Sequence, residues 1–294
     1  MLAFLKDRAT KRSAATDRYR ARHLRAQFKG TIMERLDKTD IRRYVETRRE
    51  SGVTDTTVNR ELALLSAAIN HANLELDLNL PNPVRGRLMP EPESRTRWID
   101  RAEAASLLAA AGRAIRMPFL ADFIALALYT GCRKEELLGL EWRRVDLRDN
   151  LIHLEAKHTK ANKRRSIPLC APARAALVRR AAFRAEHCPD APWVFVYADG
   201  HRTRDIRHAF ARACQDAGIA DFRIHDLRHT CAAWLVTAGV PLAEIRDLLG
   251  HSTVAMTEKY AHLAPENLRA AVERLDSGCH AESRQPIPIR KKRA

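Results

Sequence analysis

Apolar residues along the first third of the chain return every three or four positions. After Asp40, which reads as a helix cap, Ile41, Tyr44 and Val45 follow helical spacing, while Arg42, Arg43, Arg48 and Arg49 fill much of the remaining surface. After Thr56 or Thr57, a stripe of Val58, Leu62, Leu65, Ile69 and Ala72 predicts a second helix, with Arg60 lying off the stripe. Residues 1 to about 80 therefore read as helices with basic faces. Between Asp77 and Arg97 the periodicity stops at Pro81, Pro83, Pro90, Pro92 and Gly86. Proline lacks a backbone donor and resists helix, so this stretch reads as a linker.

A new helix is predicted from Asp100, with Glu103 completing a capping-box arrangement, and alanine-rich helices continue to about Leu140. The period then changes. In VDLRDNLIHLEAKHTKANKRRSIPL two short apolar runs flank a turn-rich basic segment, which predicts a small antiparallel sheet. Helical spacing returns after Ala171 and persists to about Leu275, and the ending SRQPIPIRKKRA has no core-forming pattern. The expected fold class is mainly α in two domains. Residues 1–92 form a helical domain, 93–276 a mostly helical domain with a small antiparallel β-sheet, and 277–294 a basic mobile tail.

Charge narrows the partners. The 294 residues carry 52 Lys and Arg against 36 Asp and Glu, a formal net charge of +16, which attracts polyanions and above all nucleic acid. A membrane is disfavoured, because the most apolar run, FLADFIALALY, is short and broken by Asp122. No secretory signal opens the chain, and the expected location is cytoplasmic. The six cysteines form no Cys-x-x-Cys pair and none stands at a zinc spacing with histidines, so reduced thiols and no metal site are expected.

Five places put a basic or hydroxyl group beside a turn or a helix end. TGCRKEEL holds Arg133 just after Gly131; AKHTKANKRRSIPL holds Lys160 in a strand-to-strand turn; HDLRH holds His225 and Arg228 three apart. LLGH supplies His251 and EKYAH supplies Tyr260. Each alone has a bland account: a solvated arginine, an idle histidine, a core tyrosine. Residues 242–260 also have the outline of a helix-turn-helix presenting Thr257, Glu258 and Lys259 to bases, as a non-catalytic DNA-binding regulator would.

Taken in order, these boxes resemble the tyrosine recombinase family, the integrases of phages and related mobile elements. They are Thr130-Gly131-Cys132-Arg133 with Glu136, Lys160 before Pro168-Leu169, His225-Asp226-Leu227-Arg228, Leu249-Gly250-His251, and Tyr260 nine residues after that histidine. TVNRELALLSAAINHA in the first domain extends the resemblance over most of the chain. It implies a SAM-like core-binding domain, a catalytic domain, and site-specific DNA recombination through a covalent 3′-phosphotyrosyl intermediate. It also implies double-stranded DNA as partner and a homotetramer on two sites, with AHLAPENLRAAVERL a docking helix between neighbours. The bare arginines of the first domain, Arg42, Arg43, Arg48, Arg49 and Arg60, are expected on the DNA backbone.

Elementary chemistry supports these assignments. Attack on a phosphodiester builds charge on its non-bridging oxygens, and guanidiniums such as Arg133 and Arg228 meet it with permanently charged, fixed donors. On this resemblance Tyr260 is expected to be the nucleophile and His225 a general base for its proton; His251 would donate to a phosphate oxygen and Glu136 would orient its neighbours. A lysine held between arginines would be a better general acid for the departing 5′-oxygen, and Lys160 matches the family position, although Lys157 and Lys163 stand close in sequence. No glycine precedes a lysine, so no ATP-binding Walker loop exists, and cationic side chains take the role that metals have in two-metal nucleases. No cofactor is expected. A type IB topoisomerase shares this chemistry, but the first-domain box favours recombination. The chain starts close to the core-binding domain, which fits either simple inverted-repeat sites or a truncated sequence. Target sequence, and integration as against excision or dimer resolution, stay open.

Overall fold

The computed structural model describes residues 1–11, 13–92, 95–155, 164–203 and 205–263. Lys157, Lys160 and Lys163, most of the docking-helix stretch and the basic tail lie outside the described residues. The chain divides into two compact units, Met1–Ser94 and Arg95–Ala294.

In the first unit, helices α1 (Leu2–Asp7), α2 (Ala14–Gln27), α3 (Lys38–Glu50) and α4 (Asp55–Glu75) surround a core of Phe4, Leu24, Leu36, Ile41, Tyr44, Val58, Leu62, Leu65 and Ile69. The cap of α3 is Asp37 rather than Asp40. Its Oδ1 accepts from the amides of Thr39 and Asp40, and Asp40 returns the bond to the Asp37 amide, a reciprocal capping box. Inside the unit Glu61, 1% exposed, accepts from the Tyr44 hydroxyl at 2.6 Å and takes both Nε and Nη2 of Arg48. The proline segment is more than a linker. The amide of Asn59 exchanges two bonds with the backbone of Met89, Asn73 does the same with Leu80, and Val84 is buried. Side-chain amides thus supply the pairing that prolines deny the backbone.

The second unit is built on α6 (Leu120–Thr130), apolar on nearly every face and therefore buried, with α5 (Arg101–Gly112) packed beside it. Its one carboxylate, Asp122, is held by Arg179 of α8 (Ala171–His187), with Nε 2.8 Å from Oδ1. Asp100 and Glu103 form the capping box that opens α5. The short helix α7 (Lys134–Leu138) follows α6. Next comes a three-stranded antiparallel sheet, β1 (Val145–Asp146), β2 (Leu151–Leu154) and β3 (Arg165–Pro168). Ile152 pairs with Ile167 and Leu154 with Arg165; Ile152, Leu154 and Ile167 turn into the core while His153 faces out.

Beyond α8 the chain is not continuously helical, contrary to expectation. Residues 188–203 are irregular, held by isolated bridges Glu141–Trp193 and Val196–Arg202, because Pro189, Pro192 and Gly200 interrupt the helical spacing. Helices resume as α9 (Arg207–Asp216), α10 (Asp226–Thr237), α11 (Leu242–Leu249) and α12 (Ala255–Glu258). Cys132 and Cys231 are free and buried, and burial pushes their thiols up to about 11 and about 12, which makes them poor nucleophiles. Among the described residues no helix is long and apolar enough to cross a membrane, and no acidic, histidine or cysteine cluster has metal-holding form.

Candidate active site

Two helices of the second unit end in left-handed glycines. Gly131 closes α6 with φ +61° and Gly250 closes α11 with φ +65°. The turns also meet tightly. A β-carbon on Gly131 would strike the Leu249 side chain, and one on Gly250 would lie 2.7 Å from Arg165 Nη1. Helix ends leave carbonyls unpaired, and here arginines collect them. Arg228, on α10 and 3% exposed, donates to Gly131 O and to Leu249 O, both at 2.7 Å. Arg133, the N-cap of α7, reaches Gly250 O at 3.3 Å. The two guanidiniums are therefore aimed by the same pair of turns, although 95 residues separate them in sequence (228 − 133).

Beside them Glu136, 2% exposed, is shared. It accepts from the Arg133 amide (2.9 Å) and Nη1 (3.0 Å), and from Arg165 Nη2 (2.7 Å) and Nη1 (3.3 Å). Burial opposes its ionisation, but Arg165 and Arg133 outweigh it and hold the carboxyl below the usual range. Arg228 is lowered to about 10, chiefly by burial and then by Arg133, and so stays charged at neutral pH.

Three histidines border the cations. His225 caps α10, and its ring lies edge-on to His229 at 5.0 Å. His251 follows the Gly250 turn and its Nδ1 is fixed by the buried Thr257 hydroxyl at 2.9 Å. Burial, then Arg228, then Arg133 lower His251 to about 4. His229 is lowered to about 3 by burial and then Lys259, and His225 is lowered by burial and Arg228. All three are neutral at pH 7, because an imidazolium there would be both desolvated and repelled.

Tyr260 completes the group. It is 1% exposed, packed with Ala232, Val236, Ile245 and Leu249, and its hydroxyl is hydrogen-bonded to Nδ1 of His229, not to His225. Burial raises its pKa, while the positive charge of Arg228 pulls the other way. The Lys259 ammonium stands 5.0 Å from the centre of the tyrosine ring, its own pKa lowered by burial and Arg228. In this arrangement the phenol is protonated and enclosed.

Of the residues singled out from sequence, the structure gathers Arg133, Glu136, Arg228, His225, His251 and Tyr260 around α7, α10 and the two glycine turns. Lys160 lies outside the described residues. Arg165, His229, Lys259 and Thr257 join them without having been assigned a role there. Of the three residues that a base-reading helix would present, Thr257 is buried, Lys259 half-buried and Glu258 exposed. In the first unit Arg42, Arg43 and Arg60 are exposed, and Arg49 is exposed but forked onto Asp55. Arg48 departs from the expected solvent-facing set, since Glu61 draws it inward to 14% side-chain exposure. A buried carboxylate at i+13 leaves no periodic signal around an arginine.

The chain resembles known proteins over the same region. It is 31% identical over 203 residues to the integrase of Salmonella phage P22, a match covering 64% of this chain and 50% of that protein. The chain spans about half the length of curated relatives such as this one. In structure it is similar to the Tn1549 transposon integrase in complex with circular intermediate DNA, with a TM-score of 0.76 at 21% identity over 92% of this chain and 97% of that one. It is similar also to a lambda integrase tetramer bound to a Holliday junction, with a TM-score of 0.72 at 17% identity over 88% and 75% of the two chains. Because the sequence profile described as the phage integrase family matches residues 97–267, more than half of the chain and every described catalytic candidate, the protein belongs to the phage integrase family.

Proposed function

We propose that the protein is a site-specific recombinase that cuts and rejoins DNA strands with Tyr260 as nucleophile. The observation that carries this reading is the convergence of Arg133 and Arg228 on the Gly131 and Gly250 turns, with His251 on one turn and Tyr260 packed against Leu249 of the same turn. Two anchored guanidiniums bracket the non-bridging oxygens of a phosphodiester, and His251 adds a neutral donor. The phenolic oxygen bonds to phosphorus as the bond to the 5′-oxygen breaks. His225 accepts the phenolic proton and Lys160 protonates the departing 5′-hydroxyl. A free phenol costs about 4 kcal/mol to ionise at pH 7, and the enclosed position of Tyr260 adds to that cost. Attack therefore requires the side chain to leave its pocket for the cationic centre, where the charged form is favoured.

The product retains a phosphodiester-like bond that another strand's 5′-hydroxyl can attack, so exchange needs no ATP, and guanidiniums supply the charge stabilisation for which other nucleases use metals. Double-stranded DNA is the partner, met in the first unit by Arg42, Arg43 and Arg60. The net charge of +16 suits that partner. A tetramer on two sites is the working assembly, as for the junction-bound lambda enzyme, and the cytoplasm is its location.

The test is a suicide substrate whose cleaved end diffuses away. Wild-type protein is expected to form an SDS-resistant adduct in EDTA, and Tyr260→Phe to lose the adduct while keeping DNA binding. Arg133→Ala or Arg228→Ala should slow cleavage by about 10²–10³-fold, as for loss of one oxyanion donor. Tight, salt-sensitive binding without any adduct would instead mark a DNA-binding regulator.

A further inference from the structure

Arg165 has no assigned part in the chemistry, yet it makes the better of the two ion pairs with Glu136. Its guanidinium meets the carboxylate as a fork, at 2.7 and 3.3 Å, whereas the Arg133 side chain reaches one oxygen only, at 3.0 Å. Arg165 is itself nine-tenths buried, with a side-chain exposure of 9%, so water does little to screen the pair. Its guanidinium also fills the space beneath Gly250, the residue whose carbonyl Arg133 uses and which precedes His251. On β3 it pairs with Leu154 at the end of the sheet from which the lysine-bearing stretch leaves.

The charge balance gives this geometry a consequence. One carboxylate stands between two guanidiniums. Were Arg165 absent, Glu136 would face Arg133 alone, neutralise it, and hold its donors away from a phosphate. A bidentate arginine pair is among the strongest hydrogen-bonded contacts available to a carboxylate, and lysine cannot reproduce it. We propose that Arg165 is a positioning residue for strand cleavage: by taking the Glu136 carboxylate in a forked pair, it leaves the charge of Arg133 available to the scissile phosphate. The inference rests on the cleavage reading above.

A strut and a charge-diverting residue respond differently when the carboxylate is removed. Single-turnover cleavage of the suicide substrate at saturating protein is measured for wild type, Arg165→Met, Arg165→Lys, Glu136→Gln and both double variants, with DNA affinity and thermal melting alongside. Arg165→Met should cleave about 10²-fold more slowly, the scale of one lost phosphate donor, with DNA affinity within about threefold of wild type. Arg165→Lys should fall between. Adding Glu136→Gln to Arg165→Met should restore the rate by about tenfold, since Arg133 then has no carboxylate to neutralise it. If Arg165→Met melts more than about 8 °C below wild type, the lysine series carries the same comparison. A double variant no faster than Arg165→Met, or an Arg165→Met rate equal to wild type, overturns the assignment while leaving the cleavage reading intact. Absence of adduct from wild type in the same assay overturns the cleavage reading, and this one with it.

Discussion

The Tyr260 hydroxyl and Nδ1 of His229 form a hydrogen bond inside an apolar pocket closed by Ala232, Val236, Ile245 and Leu249. His229 lies one residue beyond Arg228, so the helix that carries the guanidinium proposed for the phosphate also carries the group that holds the phenol away from solvent. The bond favours the enclosed position, because a buried hydroxyl without a partner costs about 1–3 kcal/mol.

It follows that His229→Leu should weaken the enclosed position by that amount and raise the population of released tyrosine. Single-turnover cleavage should accelerate by roughly 5–150-fold, the range to which 1–3 kcal/mol converts, with DNA affinity unchanged. A rate that falls instead would make His229 a participant in the proton transfer.

The close meeting of the two glycine turns gives a second test. Gly131→Ala puts a β-carbon into a left-handed residue, costing about 1–2 kcal/mol, and drives it into Leu249 for about 1–3 kcal/mol more. Urea titration should show a loss of about 2–5 kcal/mol. In combination with Leu249→Ala the loss should be smaller than the sum of the two single variants, since truncation relieves the collision but not the strained backbone.

The local signals of this site are the ones a sequence can carry. Gly131 and Gly250 punctuate helices, Arg133, His251 and Tyr260 stand within ten residues of them, and Arg228 stands three residues after His225. What leaves no mark in the sequence depends on tertiary approach. Arg165 reaches Glu136 across 29 residues and His229 reaches Tyr260 across 31, and nothing in the neighbouring residues of either member marks the pair. The fold shows the same division. The α4 stripe and the Asp100 box are periodic or local, whereas the Asn59 and Asn73 bonds that fasten the proline segment join residues that a pattern of polarity treats as unrelated.

Arg48 and Arg60 look alike in sequence but differ in placement, which separates packing from DNA contact. Arg48→Ala strips Glu61 of its forked partner and should destabilise the first unit by about 3–5 kcal/mol, the cost of an uncompensated buried charge. Arg60→Ala removes an exposed cation. It should leave stability within about 0.5 kcal/mol of wild type. The slope of log K against log salt should then become shallower by about 0.9, one phosphate fewer. Melting curves and binding isotherms across salt read the two effects independently. An unchanged slope for Arg60→Ala would remove that residue from the DNA interface.

The neutral histidines make the second unit acid-sensitive in a defined window. His229 and His251 are held at about 3 and about 4 in the folded chain, against about 6.5 when unfolded. Between these values the unfolded chain binds protons that the folded one refuses, so the stabilisation is complete above about pH 6.5 and is lost as pH falls through the window. At pH 5 the loss should approach about 2 kcal/mol for His229, and less for His251, which is only partly buried. Most carboxylates titrate below pH 5 and leave this range to the imidazoles. Urea midpoints at pH 7.5 and 5 should fall accordingly, and His229→Gln should flatten the dependence by its share. A midpoint independent of pH across that range would mean that the imidazoles take up protons as readily inside the fold as outside it.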